Sequence, residues 1–543
     1  MAVAARVALL LSVLAVLPLA SGQAATTAKP PRGVHVTAAT QSSIRIAWRG
    51  GAGATFIVFR NGVRRGTTSD RHWRFGGLRC GRSYRLGVVA VRAGGRSARR
   101  TIAASTRACS PAAGVPVYTR TSPPPTPALA DLPLRSSVTK DGITWRFARP
   151  ERVGRFVTGD VYVVGSATVE AISPKPAGGR NGSVRNIPAN DVDTGFDSRT
   201  GGNRYEPRIS VRPPISLAAG DSLVSSISVG TIGSRKRWLF DKDTGSPVKT
   251  VSILTSVAAP LPPDAFRPSY AGHGPIYYSR DLRRDLLPTL APVGSTPSLA
   301  EYTSHFRRPW IDNVMFNFDS PIAYMPDYAR ESARAVGNAG LLLTLDSTPE
   351  QKEPLLVYLT QYGIDLAGLV RRGHEGWHAH GGHGSGRKFP IVFAGVMLDD
   401  AAMQSPQAHF GEDMQTMTGV GWTGATALYA GHYGQGASGE YGPYEHLQPR
   451  DWASTLGEDY RRCCTSSAWI AEALAARLVP GVMAAWDHSP FFLYADRWMT
   501  ESDSAALAAM RSQIGADYSS FPQRRAWDRF ATEMWSAYRG SAP

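Results

Sequence analysis

The chain has 543 residues, more than one hydrophobic core organises, so two to four domains are expected. Its composition, 43% hydrophobic and 19% charged, excludes a largely disordered chain, and the single long apolar run, at the N-terminus, excludes a polytopic membrane protein. The formal charge of +17 is concentrated: between Thr27 and Ser110 stand 17 Lys and Arg against one acid, Asp70, which leaves the longer remainder close to neutral.

In chain order, Arg6 precedes the apolar stretch Val7 to Ala20, and the small residues Ser21, Gly22, Ala24 and Ala25 follow. This pattern over residues 1–24 reads as a secretory signal peptide, too short for a membrane anchor, and predicts a secreted, extracellular protein in which disulfides are permitted. Residues 27–109 read as short strands. Val34–Val36, Ile44–Trp48, Phe56–Phe59 and Tyr84–Val88 alternate or run apolar, and Asn61-Gly62 is a two-residue hairpin signal. Pro30-Pro31, Trp48, Leu78 and Tyr84 leading into Val88-Val89-Ala90-Val91 make this segment resemble a fibronectin type III module, an all-β sandwich. The resemblance implies a spacer or accessory module of the kind found beside polysaccharide-degrading enzymes. Its basic charge suits an anionic partner, such as a cell-wall polymer, an acidic polysaccharide or nucleic acid; the plain alternative is an arginine-rich composition with no partner. Cys80 and Cys109 lie in this module and are expected to pair.

Residues 110–134 hold seven prolines and read as an extended linker. Residues 135–262 are again strand-like, with Ile143–Phe147, Val161–Val164 and Leu223–Val229 the clearest runs, and predict a second β-rich sandwich domain. Asp191, Asp193 and Asp197 with Gly195 faintly resemble a calcium loop, but Gly202 stands where an EF-hand carries its twelfth-position acid; a solvated turn is the alternative to structural calcium. From Ser298 the period becomes helical. Ala329, Val336, Ala339 and Leu343, then Leu355, Leu359, Tyr362, Leu366 and Leu369, then Ile470, Leu474 and Leu478, and finally Trp527, Phe530, Met534 and Tyr538 predict a mainly α-helical domain over 263–540. Cys463 and Cys464 are adjacent and read either as a vicinal disulfide or as two buried thiols.

Three clusters carry the candidate chemistry. Gly373 to Lys388 holds four of the twelve histidines, six glycines, Trp377, Arg387 and Lys388, a composition suited to a polar ring-shaped substrate or to a Gly- and His-rich surface loop without a role. Within it, His374-Glu375-Gly376-Trp377-His378 is a formal HExxH, which in zinc peptidases places two histidine ligands on one helix face. His374 and His378 are therefore the alternative zinc ligands, although the surrounding glycines oppose the helix. Glu412-Asp413, near Asp399-Asp400, offers the paired carboxylates of glycoside hydrolysis. Tyr429 to Trp452 carries Tyr433, Tyr441, Tyr444 and His446 among other aromatic and charged residues, a set suited to β-elimination of a uronate polymer or to packing between helices.

A β-rich domain beside helical hairpins, with Tyr362-Gly363-Ile364-Asp365 and His383-Gly384-Ser385-Gly386-Arg387-Lys388, resembles the helical-toroid polysaccharide-degrading enzymes, lyases and glycosidases with an α/α catalytic domain. The resemblance implies cleavage of polysaccharide glycosidic bonds without a required cofactor. For a lyase the residues to test are His383 and Arg387 as charge neutralisers and Tyr433 or Tyr441 as proton carrier. For a hydrolase they are Glu412 and Asp413, with Trp377, Lys388, Tyr444 and His446 lining a sugar groove in either case. The alternatives are a zinc metalloprotease and a non-catalytic wall- or polysaccharide-binding protein.

Overall fold

A computed structural model describes residues 28–542, except 41–42, 51–52, 77, 79–81, 93–94, 108–113, 190–194, 200–204, 229–234, 238–242, 246–247, 314–323 and 327. The predicted signal peptide, the Cys80–Cys109 pair, and Asp191 and Asp193 of the calcium-like loop lie outside the described residues. The chain divides into two compact units at Ser110/Pro111.

The first unit is a sandwich of two antiparallel sheets. Strands β1 (Arg32–Ala39), β2 (Ile44–Arg49) and β5 (His72–Phe75) form one sheet in the order β1-β2-β5. The other runs β4 (Val63–Thr68), β3 (Thr55–Arg60), β6 (Ser83–Arg92), β7 (Gly95–Arg96), with β8 (Arg100–Ser105) also on β6. Alternation fixes which face is buried: Ile44, Ile46 and Trp48 of β2 point inward, and Trp48 meets Phe56 of β3 edge-on at 5.3 Å. The β3–β4 turn is the predicted Asn61-Gly62, both residues at positive φ (49° and 84°), as a type I′ hairpin requires.

The second unit opens with a sheet in the order β13 (Ser183–Arg185), β15 (Ser222–Ser228), β18 (Val248–Val257), β11 (Val161–Val164), β10 (Ile143–Arg155), β12 (Ala167–Ser173), β14 (Ile215–Leu217), with β9 (Leu134–Lys140) also on β10. A separate short hairpin joins β16 (Arg235–Arg237) and β17 (Asp243–Gly245). The thirteen-residue β10 serves both halves of the sheet, pairing β12 through its first half, β11 beyond Pro150, and β9 on both sides of Pro150. Strands β15 and β18 are buried on both faces. Leu223 and Leu254 face the interior between the two halves, whereas Val224, Val251 and Ile253 face the helices. The β-rich segment and the helices therefore share a continuous hydrophobic core.

The Pro-rich segment read as a linker is not free where it is described. Val115 is buried in that shared core, Leu132 packs with Phe156 and Tyr162, and Arg120 pairs with Asp281 at 2.9 Å. Proline fixes an extended path, and the apolar residues among the prolines anchor that path to a surface.

The helices are α1 (Leu299–Phe306), α2 (Ala329–Leu343), α3 (Pro349–Arg371), α4 (Lys388–Leu398), α5 (Ala401–Gln404), α6 (Gly411–Met414), α7 (Leu456–Tyr460), α8 (Ser466–Leu478), α9 (Val482–Trp486), α10 (Ser489–Thr500), α11 (Ser504–Ile514) and α12 (Arg529–Tyr538). Ser298 caps α1 through the Glu301 amide, and a Thr348/Gln351 capping box with Pro349 starts α3. Gly337 of α2 lets the backbones of α2 and α8 approach: a Cβ there would lie 2.7 Å from the Ala471 carbonyl carbon. Every residue of α4 is buried, which makes it the central helix and sets the loop before it at the edge of the core. Among the described residues no helix is long and apolar enough to cross a membrane.

Candidate functional site

The segment between α3 and α4 is pinned from below. The Arg387 guanidinium, fully buried, binds Asp312 through two hydrogen bonds (2.8 and 3.0 Å) and donates to the His383 and Ser385 carbonyls (2.9 and 2.6 Å); Tyr362 donates to the same Asp312 (2.8 Å). Lys388 pairs with Asp413, which also accepts from Trp486 Nε1 at 2.9 Å, and the Lys388 ammonium lies over the rings of Phe410 and Trp486. Glu412 is buried and accepts from the Gly386 amide, with the carboxyl of buried Glu472 of α8 beside it. Burial pushes the Glu412 carboxyl up to about 7 and holds Glu472 well above the usual carboxylate range, with the neighbouring Glu412 adding to the rise.

The HExxH segment is not helical. Gly373 and Gly376 take positive φ, and Gly376–Trp377 forms a short strand, β19, paired in parallel with β20 (His409–Phe410). His374 is buried with both ring nitrogens engaged: Nδ1 accepts from the Gly376 amide (3.0 Å) and Nε2 donates to the Asn313 carbonyl (3.1 Å). His378 instead lies against His409, ring centroids 4.7 Å apart. The peptidase arrangement needs two free imidazoles on one helix face, and neither condition is met. Among the described residues no three His, Cys, Asp or Glu side chains stand together as a metal site.

Above this floor three loops bring aromatic rings together. His380 is central, with ring centroids 5.3 Å from His383, 5.0 Å from His432 and 5.0 Å from Tyr433. Tyr433 stacks on Tyr441 (4.8 Å, 13° between planes), both more than a third exposed. Tyr328 meets His383 edge-on at 4.7 Å, and Tyr460 meets His432 at 4.2 Å. Gln415 on the α6 side is buried and clamps the loops, its amide donating to the Gly381 and His432 carbonyls (3.0 Å each) and to the Tyr429 hydroxyl (2.9 Å). Burial, with His380 beside it, pushes His432 down to about 4; burial alone lowers His380. Both shifts favour the neutral imidazole, the form that can accept a proton.

Cys463 and Cys464 form a vicinal disulfide in the π-helical turn between α7 and α8. That turn abuts the loop: a Cβ on Gly382 would lie 2.7 Å from the Cys464 carbonyl oxygen and 2.7 Å from the Tyr328 hydroxyl, which accepts from the Gly382 amide at 3.0 Å.

Of the residues singled out in the sequence, the structure gathers His383, Tyr433 and Tyr441. Arg387, Lys388, Glu412, Asp413 and Trp377 lie beneath them in the packed floor, Trp377 with its indole N–H on the Asp312 carbonyl (3.2 Å). Tyr444 is buried, donates to Glu458 (2.5 Å) and packs edge-on against Trp452. His446 is exposed and makes no ring contact with the cluster. Tyr328, Tyr460, Gln415 and Glu472 were not legible as site residues. Tyr460 and Glu472 stand on α7 and α8, Tyr328 caps α2 and Gln415 closes α6, and only the Tyr460–Cys464 run had a local signal, the adjacent cysteines.

No family model and no curated protein matches the chain. Among solved structures, it is similar to the fibronectin type III domain of human fibronectin type III domain containing protein 3 (17% identity, 17% of this chain, 98% of that one, TM-score 0.15). It is also similar to the fn3 domain of human collagen alpha-1(XX) chain (25% identity, 18% of this chain and 100% of that one, TM-score 0.15). Domains A168–A170 from titin match over 15% of this chain at 23% identity and TM-score 0.14, and the match spans about a third of that chain (32%). These neighbours are fibronectin type III domains and concern only the β-rich N-terminal part.

Proposed function

We propose that this is an exported enzyme that cleaves the glycosidic bonds of an acidic polysaccharide by β-elimination. The supporting observation is the half-buried pair His380 and His383 beside the exposed Tyr433–Tyr441 stack. Stacked phenols offer a platform for a sugar ring, and adjacent imidazoles, His380 held neutral, offer proton acceptors and donors. In this reading His383 hydrogen-bonds the uronate carboxylate, which acidifies the C5 proton. His380 removes that proton as the C4–O bond breaks and the C4=C5 double bond forms, and Tyr433 delivers a proton to the leaving oxygen. The hydrolase reading loses ground because Asp413 is paired with Lys388 and Glu412 is fully buried in the floor. The likeness of the helical part to helical-toroid enzymes belongs to this proposal and rests on the sequence resemblance alone.

Incubation of the purified chain with polygalacturonate, alginate and amylose tests the reading. Reducing ends accompanied by ultraviolet absorbance of an unsaturated uronate are expected, with both lost in a folded His383→Ala variant. Reducing ends without that absorbance would return the assignment to hydrolysis; full activity of His383→Ala would remove His383 from the site.

A further inference from the structure

The first unit carries a second feature that the cleavage site does not use. On the sheet containing β3, β4, β6 and β8, one row of directly paired residues crosses four strands: Arg64 pairs with Phe59, Phe59 with Gly87, and Gly87 with Thr101. Directly paired residues share a face, so this row lies on one side of the sheet, and Arg85, two residues before Gly87, lies on the same side. Gly87 leaves a dip in that face. The Arg99 side chain lies across it, its guanidinium 3.8 Å from the Phe59 ring centre; a Cβ at Gly87 would lie 3.1 Å from the Arg99 Cδ. Phe59, Asn61, Gly62, Arg85, Arg99 and Thr101 line an open groove of about 430 Å³. Arg64, Arg85 and Arg99 are exposed, and the module around them holds 17 basic residues against Asp70 alone.

We infer that this groove docks an anionic polysaccharide, a polymer of carboxylate-bearing sugars. Guanidinium groups pair with carboxylates through two parallel hydrogen bonds, and a row of them spaced along a flat sheet matches charges repeated along an extended chain. A module with one acid offers little competition for those guanidiniums and attracts a polyanion at long range. Nucleic acid fits less well: the aromatic ring in the groove is covered by Arg99, leaving no platform for a base. The choice of a sugar polymer rests on the cleavage reading above; the docking geometry does not.

The test is retention of the full chain in gels containing polygalacturonate, amylose or no polymer, with cleavage of polygalacturonate assayed separately. Wild-type protein should be retarded by polygalacturonate, not by amylose, and released by salt. The combined Arg64→Ala, Arg85→Ala and Arg99→Ala variant should lose about tenfold in affinity. A matched variant, Arg45→Ala, Arg49→Ala and Arg74→Ala, removes three exposed charges from the other sheet and should bind within about twofold of wild type. Equal losses in the two variants would overturn the groove in favour of net charge. Tighter binding of a single-stranded oligodeoxynucleotide of equal charge would overturn the polysaccharide. Retention without cleavage would sustain the docking site while ending the enzymatic reading, and cleavage with unchanged retention of the groove variant would do the reverse.

Discussion

The two faces of the loop before α4 differ in chemistry although they alternate along one short segment. On the inner face the cations are met, Arg387 by Asp312 and Lys388 by Asp413, and buried Glu412 accepts from the Gly386 amide. On the outer face His380 and His383 meet Tyr433 and Tyr328 ring to ring, with burial lowering the pKa of His380. The charged residues of the motif fix the shape of the loop, and the half-exposed imidazoles lie toward the aromatic rings above it. Substitutions should divide along the same line, stability on one face and turnover on the other.

The largest effect is expected at Arg387. Replacing it with Ala leaves the Asp312 carboxylate buried without its cation and two loop carbonyls without a donor, a loss of about 3–5 kcal/mol. Urea denaturation should show this as a large fall in midpoint. A variant as stable as wild type would break the assignment of Arg387 to the floor.

Next is the pH dependence of Glu412. Its folded value, about 7, lies above the ordinary 4.5, so the folded state holds the proton more tightly than the unfolded state. The stabilisation is therefore complete below about 4.5 and is lost as pH rises through about 7, amounting to about 3 kcal/mol over that window at most. Glu412→Gln cannot ionise and keeps an acceptor for the Gly386 amide. Its urea midpoint should be flatter than wild type between pH 5 and 8, and an unchanged slope would place the titrating group elsewhere.

Much of this division was readable in advance, and some was not. The helical period over Leu355, Leu359, Tyr362, Leu366 and Leu369 is that of α3, and Asn61-Gly62 is the turn between β3 and β4, because local patterning alone decides both. The density of His and Gly in residues 373–388 singled out a loop whose His380 and His383 lie ring to ring. The sequence could not tell which of its side chains turn inward, since a loop has no period to assign faces. Arg387 and Trp377 look like ligand-binding residues by type and are core by position. Asp312 meets both, and Tyr328 meets His383, from segments many residues away, and a tertiary contact of that kind leaves no local mark.

A smaller effect is expected where the two faces join. Tyr328→Phe keeps the ring against His383 but removes the oxygen that accepts from the Gly382 amide, a loss of about 1 kcal/mol. No change in midpoint would mean that the amide finds another acceptor and that the disulfide turn alone holds Gly382.

The smallest change in stability belongs to the outermost rings, where it separates a platform from a reagent. Tyr433 and Tyr441 stack and are exposed, so replacing either with Phe preserves the stack and should move the unfolding midpoint by less than about 0.5 kcal/mol. Tyr433 also lies against His380 and His432, at 5.0 and 4.9 Å, whereas Tyr441 lies farther from His432, at 6.3 Å. If its hydroxyl moves the proton to the leaving oxygen, Tyr433→Phe lowers kcat about 100-fold with KM nearly unchanged, whereas Tyr441→Phe alters KM by a few-fold. Equal and small effects on kcat in the two variants would reduce both tyrosines to a stacking surface and move the proton carrier back among the imidazoles.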